Sequence, residues 1–413
     1  MLSSFLKEYI KNFDIYNKIQ ELENSAKSYA IPCTSHAGKV FFTFLLSGFN
    51  KIALVVDTEQ TALRYKNDLK LYFNLNAEIF PYMEGCLYDT NTLNIYRYFE
   101  QISILRNLSN IKIIILPLKA LFEKIPNKLF FSNNSILLKK NNDIDISLLS
   151  EKLISFGYKK VVTVKDIGEF SIRGDTIDIY SLEQNPLRIE LWGDTVTDLR
   201  FFDADSQRSI VKIDETTILP VEKFVISNNN ITTFQKYFDK SIKIYLKNSS
   251  KEEKTFFEEK YIEILNYIKE NDNFDGINYY SNVFNPNLYS IIEQIPADFT
   301  LVFDEYNDIK LKYQQYDNIL QKKYKENLKL PQTLPLNNFI HTIFNDFIKI
   351  ISPKKKIYFD NLVDEKNLKY IETTSELAPL FSGILAAVKT ALWEALPLTA
   401  ALLPRRVKTT EQV

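Results

Sequence analysis

Histidine and cysteine are almost absent from this chain of 413 residues, which contains two of each. A zinc site needs three or four such ligands at close spacing, and a Ser-His-Asp or Cys-His centre needs a well-placed histidine. Neither ligand spacing nor a nucleophile motif is found around these four residues, which are Cys33, Cys86, His36 and His341. We therefore expect no metal site and no catalytic residue of these kinds. The scarcity of cysteine predicts a protein of the reducing cytoplasm.

Glycine is scarce as well, since nine Gly in 413 residues is about a third of the usual frequency. So few glycines argue against glycine-rich loops that hold phosphates. Four of the nine lie within one stretch of 37 residues, at Gly157, Gly168, Gly174 and Gly193. We expect each to adopt a backbone conformation that few other residues can adopt cheaply.

The chain also lacks an excess of either charge, with 51 Lys+Arg, 52 Asp+Glu and a net charge of −1. A protein that coats nucleic acid or an anionic membrane is usually strongly basic. Any contact with DNA is therefore expected to be local. The apolar stretch near the C-terminus contains Lys389, Glu394 and Pro397, so we expect no membrane span and no membrane partner.

Apolar segments followed by helical ones predict a parallel sheet in the first third of the chain. Residues 51–56 (KIALVV) predict a buried strand, and a helix follows near 58–73. The pattern recurs with a strand at 111–116 and a helix through 120–125. This repeated order is typical of an open α/β sheet of the nucleotide-binding type. A later strand at 300–303 is expected to return to the same sheet.

The sequence pattern changes near residue 125, where apolar and polar side chains begin to alternate. The segments 168–180, 187–192 and 196–202 have period two and are separated by turn residues. This pattern predicts antiparallel strands in a small α+β domain.

The middle one of these strands places Leu and Ile on one face and Arg188, Glu190 and Trp192 on the other. Arg and Trp are enriched among the hot spots of protein interfaces. Arg173 is expected at the turn of the neighbouring segment. Two interpretations stay open at this point. The outer face either binds a partner, or it is a solvated face on which Arg188 pairs with Glu190 or Asp178 and Trp192 covers the sheet.

Residues 33–40 (CTSHAGKV) occupy the position of a phosphate loop in the first strand-helix unit. A working loop reads G-x-x-x-x-G-K-[ST], with a hydroxyl that binds Mg²⁺. Gly38 and Lys39 match, whereas Cys33 replaces the first Gly and Val40 replaces the hydroxyl residue. We therefore expect a degenerate nucleotide fold that serves as scaffold, with no catalytic residue and no cofactor in this chain.

The dipeptide Asp304-Glu305 ends the returning strand. It is either the remnant of an acidic motif that once held a metal or an ordinary solvated strand end. Weak residual nucleotide binding stays an alternative that a labelled ATP analogue would test.

Three ordered motifs resemble the UvrB-homology module of the bacterial transcription-repair coupling factors. They are GEFSIRGDTIDIY at 168–180, LRIELWGD at 187–194 and FDADSQRS at 202–209. Two upstream segments, 80–89 and 116–126, are similar to the same family. The resemblance covers about residues 1–371.

The resemblance implies an α/β fold with a degenerate RecA/helicase-like parallel sheet, split in sequence by an inserted antiparallel α+β domain. This is the arrangement of UvrB-like domains 1a, 2 and 1b. The expected segments are 1–120 for the first part of the helicase-like domain, 121–215 for the inserted domain, 216–330 for the second part, 331–371 for the start of a truncated third domain, and 372–413 for a tail.

The tail differs in composition, because Asn stops at Asn367 and Ala becomes frequent after residue 371. We expect a foreign or frameshifted segment there. A genuine C-terminal helix of unusual composition is the alternative.

The inserted domain of that family recruits UvrA, the damage-sensing subunit of nucleotide excision repair. The residues that match its UvrA-contacting positions are Arg173, Arg188 and Trp192. The resemblance also implies an RNA-polymerase-binding domain and an ATP-driven DNA translocase motor, both beyond residue 371. Contacts with RNA polymerase and DNA, and the use of ATP and Mg²⁺, would belong to those regions. This chain is expected to recruit and not to catalyse.

Two rival functions remain. The first is a UvrB-like ATPase that binds damaged DNA, against which Cys33 and Val40 count. A DNA-clamping hairpin would also need more room than residues 89–113 provide. The second is a stand-alone adaptor that competes for UvrA.

Overall fold

The computed structural model describes residues 14–370, except for 34, 84–86, 89–93, 183–184, 227, 249, 270–276, 330–332, 336–338, 361–362 and 364–367. The tail 372–413 and Cys86 therefore lie outside the described residues.

The described part of the chain is mixed α/β. The strands are β1 (Ser28–Ala30), β2 (Lys51–Val56), β3 (Glu78–Ile79), β4 (Ile113–Pro117), β5 (Lys124–Pro126), β6 (Ile136–Lys139), β7 (Lys159–Lys160), β8 (Glu169–Arg173), β9 (Thr176–Ile179), β10 (Leu187–Trp192), β11 (Thr195–Phe202), β12 (Ser209–Lys212), β13 (Glu215–Ile218), β14 (Leu288–Ser290), β15 (Phe299–Asp304), β16 (Lys356–Phe359) and β17 (Lys369–Tyr370). The α-helices are α1 (Asp14–Ser25), α2 (His36–Leu46), α3 (Glu59–Phe73), α4 (Ile95–Asn107), α5 (Lys128–Asn133), α6 (Ile146–Ser155), α7 (Asn228–Tyr245), α8 (Lys251–Lys269), α9 (Ser281–Phe284), α10 (Ile291–Gln294), α11 (Tyr306–Asn327) and α12 (Phe344–Ile351). Within the described residues, none of these helices has the length and apolar character to cross a bilayer.

Seven parallel strands form the larger sheet, in the order β17-β1-β16-β15-β2-β4-β3. The predicted strands at 51–56 and 111–116 are confirmed as β2 and β4. The expected return of 300–303 is confirmed as well, because β15 pairs with β2. The central strands are buried almost along their whole length, as in parallel sheets that are covered on both faces.

The helix predicted through 120–125 is wrong. A short 3₁₀ turn at Leu118–Leu121 is followed by β5, which pairs antiparallel with β14. Pro126 restricts the preceding residue to extended backbone and cannot continue a helix. Pairing with a strand more than 160 positions later therefore decides the conformation, and local propensity does not.

Six strands form the second sheet, in the order β12-β11-β10-β9-β8-β7. All neighbours are antiparallel except β7 and β8, which confirms the antiparallel α+β region. Two-residue loops join β8 to β9 and β10 to β11, and Gly174 and Gly193 open them with φ of 58° and 60°. Tight hairpins need such positive φ values, which glycine adopts without strain.

Two further sheets have two strands each. β6 pairs with β13, and β5 pairs with β14. The sequence assigned 331–371 to a third domain, whereas the structure places β16 and β17 in the seven-stranded sheet, next to β1. The physical reason is that β16 fills the place between β1 and β15 and hydrogen-bonds to both.

Candidate partner-binding face and degenerate phosphate loop

Two rows of polar side chains cross the outer face of the six-stranded sheet. The first row consists of residues paired directly across five strands: Ser171, Asp178, Arg188, Arg200 and Lys212. The second row consists of Arg173, Thr176, Glu190 and Asp198. The predicted alternation on β10 is confirmed, because Leu187, Ile189 and Leu191 are buried while Trp192 is exposed.

Asp178 lies at the centre of this face and joins two arginines. Its Oδ1 accepts a hydrogen bond from Arg188 Nε at 2.7 Å, and its Oδ2 accepts from Arg188 Nη2 at 2.9 Å. The same Oδ2 accepts from Arg173 Nη2 at 2.5 Å. The Asp178 side chain is 1% exposed. Of the two pairings that the sequence left open, the structure has Arg188 with Asp178, while Glu190 pairs with Arg200.

Arg188 is held on three sides. Besides the bidentate pair with Asp178, its Nη2 donates to Gln207 Oε1 at 3.1 Å. Its guanidinium carbon lies 4.5 Å from the centre of the Phe202 ring, a cation–π contact. Gln207 is fixed in turn, because its amide donates to the carbonyls of Val164 and Ala204. The Arg188 side chain is only 16% exposed.

Arg173 and Trp192 are the accessible members of this face. The Arg173 side chain is 47% exposed, and among the described residues its side-chain hydrogen bond goes to Asp178. Trp192 is 82% exposed at the end of β10. A bare indole and a partly free guanidinium therefore stand at the same end of the sheet.

A second buried carboxylate joins two cations further along the same face. Asp198 accepts from Arg200 Nη1 at 2.6 Å and from Lys212 Nζ at 3.0 Å. Burial alone would raise the pKa of Asp198, but the hydrogen bonds from Lys212 and Arg200 outweigh it and lower the pKa below its usual value. This cluster matches the Asp178 cluster in chemistry, and Asp198 lies opposite Glu190 in the row that contains Arg173.

The segment predicted to be a degenerate phosphate loop leads into α2 at the carboxyl end of the parallel sheet. Ser35 caps this helix, and its hydroxyl accepts a hydrogen bond from the Gly38 backbone N–H at 3.2 Å. The Lys39 N–H donates to the Ser35 carbonyl at 3.1 Å. Backbone N–H groups that would hold a phosphate in a working loop are thus bonded within the chain.

The Lys39 side chain points toward the carboxyl end of β15, a central strand of the sheet, and Lys39 is 5% exposed. Its Nζ donates to Asp304 Oδ1 at 2.6 Å and also to Glu305 Oε1. Asp304 Oδ2 accepts a further hydrogen bond from the Tyr65 hydroxyl at 3.0 Å. Burial would lower the pKa of Lys39, but the hydrogen bonds to the two carboxylates outweigh it and raise the pKa. The acidic pair is therefore a partner of Lys39 and not a freely solvated strand end.

Cys33 and Val40, the two departures from the loop pattern, both face the interior. Val40 is 1% exposed and belongs to the apolar cluster beneath α2 and α3. The Cys33 thiol lies 3.6 Å from the Ser35 carbonyl, and burial raises its pKa. The pattern of the sequence located this loop but missed Tyr65, whose hydroxyl only the folded chain brings to Asp304.

A family model described as the UvrB interaction domain matches residues 136–224. The transcription-repair-coupling factor of Staphylococcus haemolyticus is 26% identical over 329 residues, which are 74% of this chain and 26% of that protein. The corresponding factor of Borreliella burgdorferi is 33% identical over 189 residues, or 45% of this chain and 17% of the relative. The factor of Haemophilus influenzae is 23% identical over 278 residues, or 64% and 23%.

The chain is related to the N-terminal part of the transcription-repair-coupling factors. It spans about a quarter or less of the length of these three relatives. The region matched by the family model, 136–224, contains the whole six-stranded sheet, and the domain bounds 121–215 stay a prediction. β5 lies before the matched region and pairs with β14, which lies after it.

Proposed function

We propose that this chain acts in transcription-coupled nucleotide excision repair by recruiting UvrA through the outer face of its UvrB interaction domain. The observation that carries the proposal is that an 82% exposed Trp192 and a half-exposed Arg173 lie at the same end of one sheet face. Trp and Arg dominate protein-interface hot spots. A tryptophan that is exposed in the free chain gains its apolar burial when a partner covers it.

We further propose that the described residues do not bind or hydrolyse ATP. The residues at the loop do not fit a Mg²⁺-nucleotide, because the Val40 side chain has no hydroxyl to bind the metal. In addition, the carboxylates of Asp304 and Glu305 already neutralise the Lys39 ammonium. We assign the use of ATP and Mg²⁺, and contacts with RNA polymerase and DNA, to regions of the related factors that this chain does not match. The UvrB-like ATPase is the rival, and DNA-stimulated ATP hydrolysis by this chain would establish it.

Calorimetric titration of purified UvrA into the chain tests the recruitment. We expect Arg173→Ala and Trp192→Ala each to weaken binding by on the order of 2 kcal/mol, the loss usual for a central contact. Arg188→Ala should weaken it to a similar extent. Tyr72→Ala is the matched control, since Tyr72 is an aromatic residue 41% exposed on α3, outside the matched domain.

Two results of this titration would refute different parts of the proposal. Unchanged affinity in both arginine variants would refute the placement of the interface. Absence of binding by the unaltered chain would refute the recruitment itself.

A further inference from the structure

We propose that Asp178 is the positioning residue of this interface: it holds the Arg173 guanidinium in the orientation that meets the partner, and Arg188 acts through Asp178 without touching the partner. The inference rests on the proposed function and deepens it. Sequence matching treats the two arginines alike. The inference gives them different roles, since Arg173 contacts the partner and Arg188 only supports Asp178.

The first argument is the geometry of Arg173. A free arginine side chain has many rotamers, and ordering them on binding costs free energy. Here Asp178 Oδ2 binds one amino group at 2.5 Å while 47% of the Arg173 side chain remains exposed. Arg173 is thus ordered before the partner arrives, and its remaining donors stay accessible.

The second argument is the geometry of Arg188. Its Nε and Nη2 are both bonded to Asp178, and Nη2 also donates to Gln207. The side chain is 16% exposed and lies against the Phe202 ring. These contacts fix both oxygens of Asp178, so the role of Arg188 is to hold the carboxylate that holds Arg173.

The third argument is the charge of the cluster. Two guanidinium groups share one buried carboxylate, which leaves one net positive charge, on the exposed Arg173. Charge complementarity at an interface favours an opposite charge on the partner. The partner surface is therefore expected to present a carboxylate to Arg173 beside an apolar contact for Trp192.

A double-mutant cycle with UvrA tests the coupling. Asp178→Asn keeps the side-chain shape and removes the charge, and we expect it to weaken binding about tenfold. In this background Arg173→Ala should cost much less than it does in the parent chain. Asp57→Asn is the matched control, because the Asp57 carboxylate also accepts hydrogen bonds from a cation and a second side chain, Lys312 and Thr61, but lies outside the matched domain, and the affinity of this variant should be unchanged. Equal losses in Asp178→Asn and Asp57→Asn would overturn the proposal.

A measurement without any partner separates this inference from the proposed function. The ¹⁵N–¹H heteronuclear NOE of Arg173 Nε should be high in the parent chain and fall in Asp178→Asn, but stay high in Asp57→Asn. An unchanged NOE in Asp178→Asn would overturn the positioning role even if UvrA binds. If UvrA does not bind, the recruitment fails while the NOE still decides the role of Asp178. Should Asp178→Asn not fold, Asp178→Glu retains the charge but displaces the carboxylate by one methylene, and we expect a lower NOE and weaker UvrA binding than in the parent. Values equal to those of the parent would overturn the proposal.

Discussion

Lys39 and Asp304 are 265 positions apart in the chain, yet Lys39 Nζ lies 2.6 Å from Asp304 Oδ1. Lys39 belongs to α2, before the UvrB interaction domain, and Asp304 ends β15, after it. The ion pair thus joins the two sequence segments that build the seven-stranded sheet. Both side chains are nearly buried.

Lys39→Met should destabilise the fold by about 3–5 kcal/mol, because it leaves Asp304 buried without its cation. Urea unfolding measures the loss. Lys312→Met is the matched control, since Lys312 also pairs with two carboxylates but its side chain is 41% exposed. Exposed pairs contribute less than about 1 kcal/mol. Equal losses in the two variants would contradict a structural role for the buried pair.

We expect no measurable binding of a fluorescent ATP analogue with Mg²⁺ at micromolar concentration. The Gly38 N–H is used by the Ser35 cap, and Lys39 is used by Asp304 and Glu305. Fluorescence anisotropy gives the affinity, with an unrelated phosphate-loop ATPase as the positive control. A micromolar dissociation constant would show that the loop still binds nucleotide.

Glu222 should make the stability of the fold depend on pH. Burial raises the pKa of Glu222 to about 7, and nearby Lys223, Lys159 and Asn278 lower it only in part. Within the described residues, its buried Oε2 has no hydrogen-bond partner. The carboxyl group is therefore held in its protonated form by the folded chain up to near neutral pH.

The sign follows from proton linkage. Between the usual pKa of 4.5 and about 7, the folded chain keeps a proton that the unfolded chain releases. The stabilisation is therefore full below pH 4.5 and is lost as the pH rises through 7. Glu222→Gln should be as stable as the parent at pH 4.5 and more stable by about 3 kcal/mol at pH 8. Parallel stability curves for the two proteins across this range would contradict the raised pKa.

Two glycines should differ in their tolerance of alanine. Gly157 has φ of +91°, and a Cβ there would lie 2.5 Å from Glu222 Cγ. Gly174 has φ of +58°, with no atom within 4 Å of its Cβ position. Gly174→Ala should cost about 1–2 kcal/mol for the left-handed backbone alone, and Gly157→Ala about twice as much. Thermal unfolding compares the two, and a smaller loss at Gly157 would contradict this account.

The sequence predicted best what its local pattern determines. β2 and β10 were found because burial on two faces gives an unbroken apolar run and burial on one face gives alternation. The segment 120–125 was missed because its conformation depends on β14, far along the chain. Local propensity contains no information on such a pairing.

The sequence predicts which residues form the candidate site, but it does not predict which carboxylate pairs with Arg188. Arg188 and Glu190 are two positions apart on one strand, about 6.6 Å along it. Asp178 is directly opposite Arg188 on the neighbouring strand, where Cβ atoms are about 4.5–5.5 Å apart. The choice between the two partners depends on the register of β9 against β10, which the sequence does not contain. The register also brings Asp178 within reach of Arg173.

The pairing of β6 with β13 has a consequence for how this chain could have arisen. Ile136 lies opposite Ile218, so the two ends of the segment 136–218 are neighbours in the fold. A domain with adjacent ends can be spliced into a surface loop of a host, or removed from it, by one genetic event that leaves the order of the host strands intact. The face proposed to recruit UvrA then lies in a segment with neighbouring ends, and its transfer onto another scaffold needs only two adjacent junctions.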